Sequence, residues 1–158
     1  MKKNLSNIIN KYKNVKIFIE NFAAGAENKK ITIKQLNESS SSTINELNYR
    51  SKYYKKKSFF MSEDFGVSFL EVETNQIKLS EYINKKNIKK IDFFKIDTEG
   101  YEYNVLKGLE SKISIISLIM FEHHYDDMLK KDYSFSDIHK LLKDNNFQQI
   151  YKYRMSFR

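Results

Sequence analysis

Two carboxylates and a glycine end an apolar run near the middle of the chain. The segment Ile91–Ile96 is largely apolar, and Asp97, Glu99 and Gly100 follow it within four positions. In open α/β sheets, ligands bind where buried strands end beside a turn and a helix start. An unpaired carboxylate is costly to bury, so we expect both groups to reach solvent, a partner or a ligand. There, the Asp97 carboxylate could accept a proton from a reacting group.

A second pair of proton-transfer groups follows the next apolar run, Ile113–Phe121. Glu122 and His123 come directly after it. A histidine beside a carboxylate is a reasonable general base near neutral pH. The competing interpretation places both residues in an ordinary surface turn.

A metal site is the weaker hypothesis for the polar residues that come next. His124, Asp126 and Asp127 could join His123 around an ion, but their spacing is not diagnostic of one. A polar loop explains the same residues more simply. We therefore predict no metal.

The elements that would position these groups form a strand–helix–strand pattern. Ile91–Asp97 is predicted as a strand, Gly100–Leu109 as a helix and Ile113–Phe121 as an almost wholly apolar central strand. Gly100 allows the tight turn from strand to helix. The three elements make one βαβ unit, expected to be right-handed, so Asp97 and Glu122 should lie on neighbouring strand ends.

Outside this unit the periodicity predicts shorter elements. The first half contains helix 4–12, strand Val15–Phe22, turn Gly25–Lys30, its hairpin partner Ile31–Leu36, polar loop 37–43 and mostly loop over 44–66. The second half adds strand Gly66–Val72, a short helix from a cap at Ser80 to Asn84, a helix opened by a Ser134–Asp137 capping box and ended after Lys143 by Asn145 and Asn146, and strand Phe147–Tyr153. This order predicts an α/β fold, with a mostly parallel sheet and antiparallel additions, in one domain over residues 1–158.

Composition narrows the class of protein. No apolar run approaches the roughly 18 residues of a membrane span, and the start does not resemble a signal peptide. Cysteine is absent, which excludes disulfides and thiolate chemistry and is compatible with the cytoplasm, the location we expect. The net charge of +8 comes mostly from lysine, as an AT-rich genome would produce. Residues 50–60 mix cationic and aromatic side chains, which could bind single-stranded nucleic acid or an anionic sugar. A solvated loop is the simpler interpretation of this segment. We therefore predict no nucleic-acid or membrane partner.

A longer pattern surrounds the two carboxylates. The run Asp92–Gly108 resembles the signature of the FkbM family of methyltransferases, which contains K-I-D-(V/T)-E-G-x-E-x-x-V-L-x-G. Three further segments are similar to family elements: Asn21–Gly25, Ile77–Ile83 and Phe121–His124. The resemblance extends over roughly residues 3 to 155.

The resemblance implies a Rossmann-like class I fold that binds S-adenosylmethionine and methylates hydroxyl groups of sugars or small molecules. On this basis Asp97 would face the sulfonium or accept a proton, or else cap the following helix. Glu99 would orient substrate or cofactor, or else place a favourable charge at the helix N-terminus. Glu122 and His123 would supply acid–base catalysis. Candidate residues beside the adenine are Asn21 and Ala23. Lys95 would be a substrate contact, or else a solvated or paired lysine.

Two cofactor elements of that family do not occur in this sequence: a glycine motif on the first strand, and an acidic residue at the end of the second strand that holds the cofactor ribose. The four glycines of this chain are scattered, and no glycine-rich motif follows a strand. The chain therefore resembles the C-terminal part of such an enzyme, truncated at the N-terminus. An S-adenosylmethionine-dependent O-methyltransferase is the leading hypothesis. The alternatives are a non-catalytic remnant or a partner subunit of a split enzyme, completed by an N-terminal fragment, and a basic nucleic-acid-binding module. Unpaired strand edges favour a homo-oligomer.

Overall fold

The computed structural model describes residues 14–36, 42–52, 69–125 and 127–153. Its elements in chain order are β1 (Ala23–Gly25), β2 (Lys29–Leu36), β3 (Ser42–Thr43), β4 (Phe69–Lys78), α1 (Leu79–Lys85), β5 (Phe94–Ile96), α2 (Glu102–Leu109), a 3-10 helix (Glu110–Ile115), β6 (Ile119–Phe121) and α3 (Phe135–Asp144). The predicted helix 4–12, the stretch 53–68 with most of the basic aromatic segment, and Asp126 lie outside the described residues. No helix in the described ranges is long and apolar enough to cross a membrane.

The described strands form two sheets, and the larger one combines parallel and antiparallel pairs whereas the smaller one is parallel. The larger has the order β1-β4-β2-β3, and the smaller pairs β5 with β6. β4 runs parallel to β1 but antiparallel to β2 over eight paired positions, and β2 is antiparallel to β3. The fold is therefore mixed α/β, and the prediction of a mostly parallel sheet is wrong for the described strands. The β-branched alternation in β2 and β4 suits a long ladder of either direction, so sequence could not decide it.

Two predicted strands are not formed. Residues 16–21 have no regular structure, and 147–153 have none either. In the first stretch, apolar side chains at both odd and even positions are exposed, Phe18 and Ile19 among them. Neither face of the alternating pattern is therefore buried. In the last stretch Ile150 and Tyr151 are also exposed. β2 pairs with β4 and β3, so the predicted hairpin with Val15–Phe22 is wrong as well.

The strand–helix–strand unit is present in shortened form. β5 and β6 are parallel, with Ile96 opposite Phe121, and an isolated bridge joins Ile91 to Ile116. The helix starts at Glu102 instead of Gly100. The apolar run after it begins as a 3-10 helix, because Glu110 at φ 47° redirects the chain. The unit therefore keeps its order and direction while losing length at each junction.

The helix termini test the capping predictions. Ser134 and Asp137 form the predicted capping box, and Asn146 is left-handed at φ 66° just beyond α3. Ser80 is not a cap, because α1 begins one residue earlier and the Ser80 hydroxyl donates to Glu110 at 2.9 Å.

The core surrounds α2, which packs against β1, α1 and α3. Its apolar side chains contribute about 1.5–3 kcal/mol each when fully buried, and the core comprises Leu79, Ile83, Ile96, Val105, Leu106, Leu109, Ile113, Ile116, Tyr133 and Ile138. Gly108 meets the β1 backbone so closely that a Cβ there would lie 1.8 Å from the Gly25 oxygen. This contact fixes α2, and with it the turn that precedes α2.

Candidate functional site

The turn between β5 and α2 is the centre of the site. Glu99 and Gly100 both have positive φ, 50° and 92°. The Thr98 hydroxyl and the Gly100 N–H both donate to Oε1 of Glu102, at 3.0 and 2.9 Å. The left-handed region costs a residue other than glycine roughly 1–2 kcal/mol, so the conformation of Glu99 depends on these surrounding contacts.

Thr43 of β3 and the segment that follows it also hold this turn. The Thr43 hydroxyl donates to the Glu99 carbonyl at 2.9 Å, and Asn45 Nδ2 donates to the Gly100 carbonyl at 2.6 Å. A Cβ on Gly100 would lie 2.6 Å from that Asn45 nitrogen. The sequence predicted only loop for these residues, because nothing local in a polar stretch identifies a partner more than fifty positions away.

The two predicted carboxylates have different partners. Asp97 Oδ2 lies 2.7 Å from Lys95 Nζ, and this hydrogen bond raises the pKa of Lys95. Glu99 Oε2 lies 2.9 Å from His124 Nε2, with the side chains 26 % and 22 % exposed. Asp97 does not cap α2, whose N-cap is Tyr101 with no side-chain bond. Lys95 is a paired lysine in this structure.

Glu122 lies where the sequence predicted. Glu122 follows Phe121, and Asp97 follows Ile96. Phe121 and Ile96 are paired across β5 and β6. The Glu122 N–H donates to the Ile96 carbonyl at 3.3 Å, and its charge helps to raise the pKa of Lys95. The structure therefore brings both strand-end carboxylates to one edge of the smaller sheet.

His123 lies in an aromatic cluster instead of facing the carboxylates. Its ring centroid is 4.8 Å from Tyr125, 5.6 Å from Phe135 and 6.0 Å from Tyr133. Its Nδ1 is buried and has no hydrogen-bond partner within the described ranges. Burial, and then the nearby charge of Lys131, lower its pKa. The neutral imidazole is therefore favoured at this position.

His124 is the histidine that meets a carboxylate. Besides the contact with Glu99, its backbone carbonyl accepts a hydrogen bond from Lys131. From the sequence, His124 was a member of the family-like segment Phe121–His124 and a metal ligand or polar loop residue, and its pairing with Glu99 was not predicted. No group of three histidine, aspartate or glutamate side chains in the described part of the chain is arranged to hold a metal ion.

The predicted cofactor residues lie before and in β1, which belongs to the larger sheet and not to the β5–β6 sheet. Ala23 is paired with Gln76 of β4, and the Gln76 amide oxygen accepts from the Tyr101 hydroxyl at 2.8 Å. This relay connects β1 to the residue that follows the turn. Asn21 is exposed, and no hydrogen bond within the described ranges joins it to Asp97.

A family model matches most of the chain. The family model for the methyltransferase FkbM domain matches residues 2–149. No curated protein and no solved structure shows significant similarity to the chain. The matched range includes the whole β5–α2–β6 unit and both groups of acid–base residues.

Proposed function

The chain belongs to the FkbM methyltransferase family, and on that premise we propose that it transfers a methyl group from S-adenosylmethionine to a hydroxyl group of a sugar or another small acceptor. The single observation that best supports this function is the Glu99–His124 pair at the edge that also holds Asp97. A histidine held by a carboxylate can remove the hydroxyl proton of an acceptor during transfer.

In the proposed mechanism, the Glu99–His124 pair takes the proton of the acceptor hydroxyl. The Glu99 carboxylate accepts from His124 Nε2 at 2.9 Å, and this contact orients the imidazole. We assign this step to His124 rather than His123, because burial disfavours protonation of His123. Glu122, exposed at the same edge, would contact the polar acceptor.

The cationic end of the cofactor fits the acidic edge. S-adenosylmethionine supplies an electrophilic methyl group on a positively charged sulfur. Asp97 is close to half exposed, and its present partner is the side chain of Lys95, which is itself exposed and able to move aside. We propose that Asp97 faces the cofactor charge, and that Asn21 and Ala23 flank the adenine.

Cofactor calorimetry tests this assignment. The wild-type chain should bind S-adenosylmethionine, and Asp97→Asn should weaken binding about tenfold, or ~1.4 kcal/mol. Asp92→Asn is the matched control, since Asp92 is an exposed carboxylate paired with Lys90 before β5. It should leave affinity unchanged. Equal affinity of all three proteins would contradict the role of Asp97.

A second candidate is a partner subunit that a further polypeptide completes. The supporting observation is a set of exposed apolar side chains, Val15, Phe18 and Ile19, in the segment that leads into edge strand β1. Exposed apolar patches mark interaction surfaces. The partner would supply the glycine-rich cofactor loop. No detectable heat at millimolar cofactor would reject independent catalysis and favour this candidate.

A further inference from the structure

Glu102 is a fully buried carboxylate that the proposed chemistry does not use. Glu102 is the first residue of α2, and it is 0 % exposed. It accepts from Thr98 and Gly100 on Oε1, and from the Tyr133 hydroxyl on Oε2 at 2.6 Å. None of these three partners carries a positive charge. Burying a carboxylate without a cation is expensive, so its hydrogen bonds have to compensate.

The bonds to Oε1 shape the turn. They draw the Thr98 and Gly100 donors to one point, and the residue between them is Glu99 in its left-handed conformation. Removing the acceptor would leave the Gly100 N–H unsatisfied directly after Glu99, whose backbone already lies in an unfavourable region. The turn would then relax, and the Glu99 side chain would change direction.

The bond to Oε2 joins the turn to α3. Tyr133 comes directly before the Ser134 cap, and its ring stacks on Tyr103 at 5.3 Å. Burial, and then the hydrogen bond to Glu102, raise the pKa of Tyr133, so its hydroxyl stays a donor. The 42–52 segment also supports the turn. The turn is thus held both by the 42–52 segment and, through Glu102, by Tyr133.

We propose that Glu102 is a positioning residue of the site: with Tyr133 it holds the Thr98–Gly100 turn so that Glu99 reaches His124. The consequence for catalysis rests on the proposed function, whereas the positioning itself does not. Glu102 is buried and acts only through Glu99. It is therefore distinct from the residues that would contact the acceptor.

Three variants test the proposal by NMR without cofactor or acceptor. Glu102→Ala removes both acceptors, and Tyr133→Phe removes one donor. Glu102→Gln keeps an oxygen for the two turn donors and offers its amide to the Tyr133 hydroxyl, which can accept. Tyr82→Phe is the control, because its hydroxyl bonds Glu20 far along the chain from the turn.

The readouts are the imidazole resonances of His124 and the exchange rate of the Gly100 amide relative to that of Leu106 in α2. In Glu102→Ala and Tyr133→Phe, we expect His124 to shift while His139 does not, and Gly100 exchange to rise at least tenfold over Leu106. Glu102→Gln should restore both values, and Tyr82→Phe should change neither.

Unchanged His124 resonances in a folded Glu102→Ala or Tyr133→Phe protein would overturn the proposal, as would a failure of Glu102→Gln to restore them. If Glu102→Ala does not fold, the tyrosine and glutamine variants decide alone. Because these readouts involve no methyl transfer, the positioning proposal can fail while the proposed function stands, and the reverse also holds.

Discussion

At the residue scale, two adjacent histidines have different environments. His124 contacts Glu99, whereas His123 is packed among aromatic rings with a buried nitrogen that has no partner in the described part of the chain. The sequence shows Glu-His-His after a strand, and strand alternation cannot assign the two rings once the strand has ended at Phe121. The position of the following chain, with Tyr125, Tyr133 and Phe135, decides which histidine is packed among aromatic rings and which contacts Glu99.

The half-buried His123, whose Nδ1 atom is buried, predicts a pH dependence of stability. Its pKa in the folded state lies below the ordinary value of 6.5, so the unfolded chain binds the proton more readily. The free energy of unfolding should therefore be greatest above about pH 6.5 and fall as the pH drops below that value. Urea denaturation between pH 5 and 7.5 measures this change.

The matched variants for that measurement are His123→Phe and His139→Gln. Phenylalanine keeps the aromatic packing but cannot be protonated, so the fall in stability at low pH should become smaller. His139 lies exposed on α3, and its replacement should leave the pH profile as it is. A profile in His123→Phe identical to wild type would assign the pH dependence to another group.

At the element scale, close packing of α2 on β1 sets the position of the turn. Gly108→Ala would place a methyl group against the Gly25 carbonyl. Alanine normally favours a helix by about 1 kcal/mol over glycine, but overpacking here should reverse the sign and lower the free energy of unfolding by about 1–3 kcal/mol. Lys107→Ala, at the neighbouring exposed position, should stay within about 0.5 kcal/mol of wild type by denaturant titration. A more stable Gly108→Ala protein would contradict the packing described here.

The elements that were predicted correctly from the sequence are those that local sequence patterns determine. The Ser134–Asp137 capping box, the left-handed Asn146 and the order β5–α2–β6 all follow from patterns within about thirty positions. The errors concern partners distant in sequence. Val15–Phe22 alternates like a strand yet buries neither face, and β2 pairs with β4 instead of the segment before it. Similarly, Asn45 gave no indication that it would hold Gly100.

At the scale of the whole molecule, the chain has exposed apolar surface next to an edge strand. Phe18 is 79 % exposed, and Val15 and Ile19 are exposed beside it. Edge strands with such side chains favour association. We predict that the protein self-associates, or pairs with a complementing fragment, through this segment.

Sedimentation over a range of concentrations measures this association. Phe18→Lys with Ile19→Lys should increase the monomer fraction without changing the fold, because neither side chain is buried. Tyr49→Lys, also at an exposed position, is the control and should leave the oligomeric state as it is. A wild-type protein that stays monomeric at all concentrations and melts sharply would contradict the prediction.

The most direct test of the account is the rate of methyl transfer from labelled S-adenosylmethionine to a panel of sugars and small hydroxylated acceptors. His124→Ala should lower the rate by about 10²–10⁴, the usual contribution of a general base, while cofactor binding and stability stay close to wild type. His139→Ala should keep full activity. A His124→Ala protein that transfers methyl groups at the wild-type rate would show that the Glu99–His124 pair is not the base.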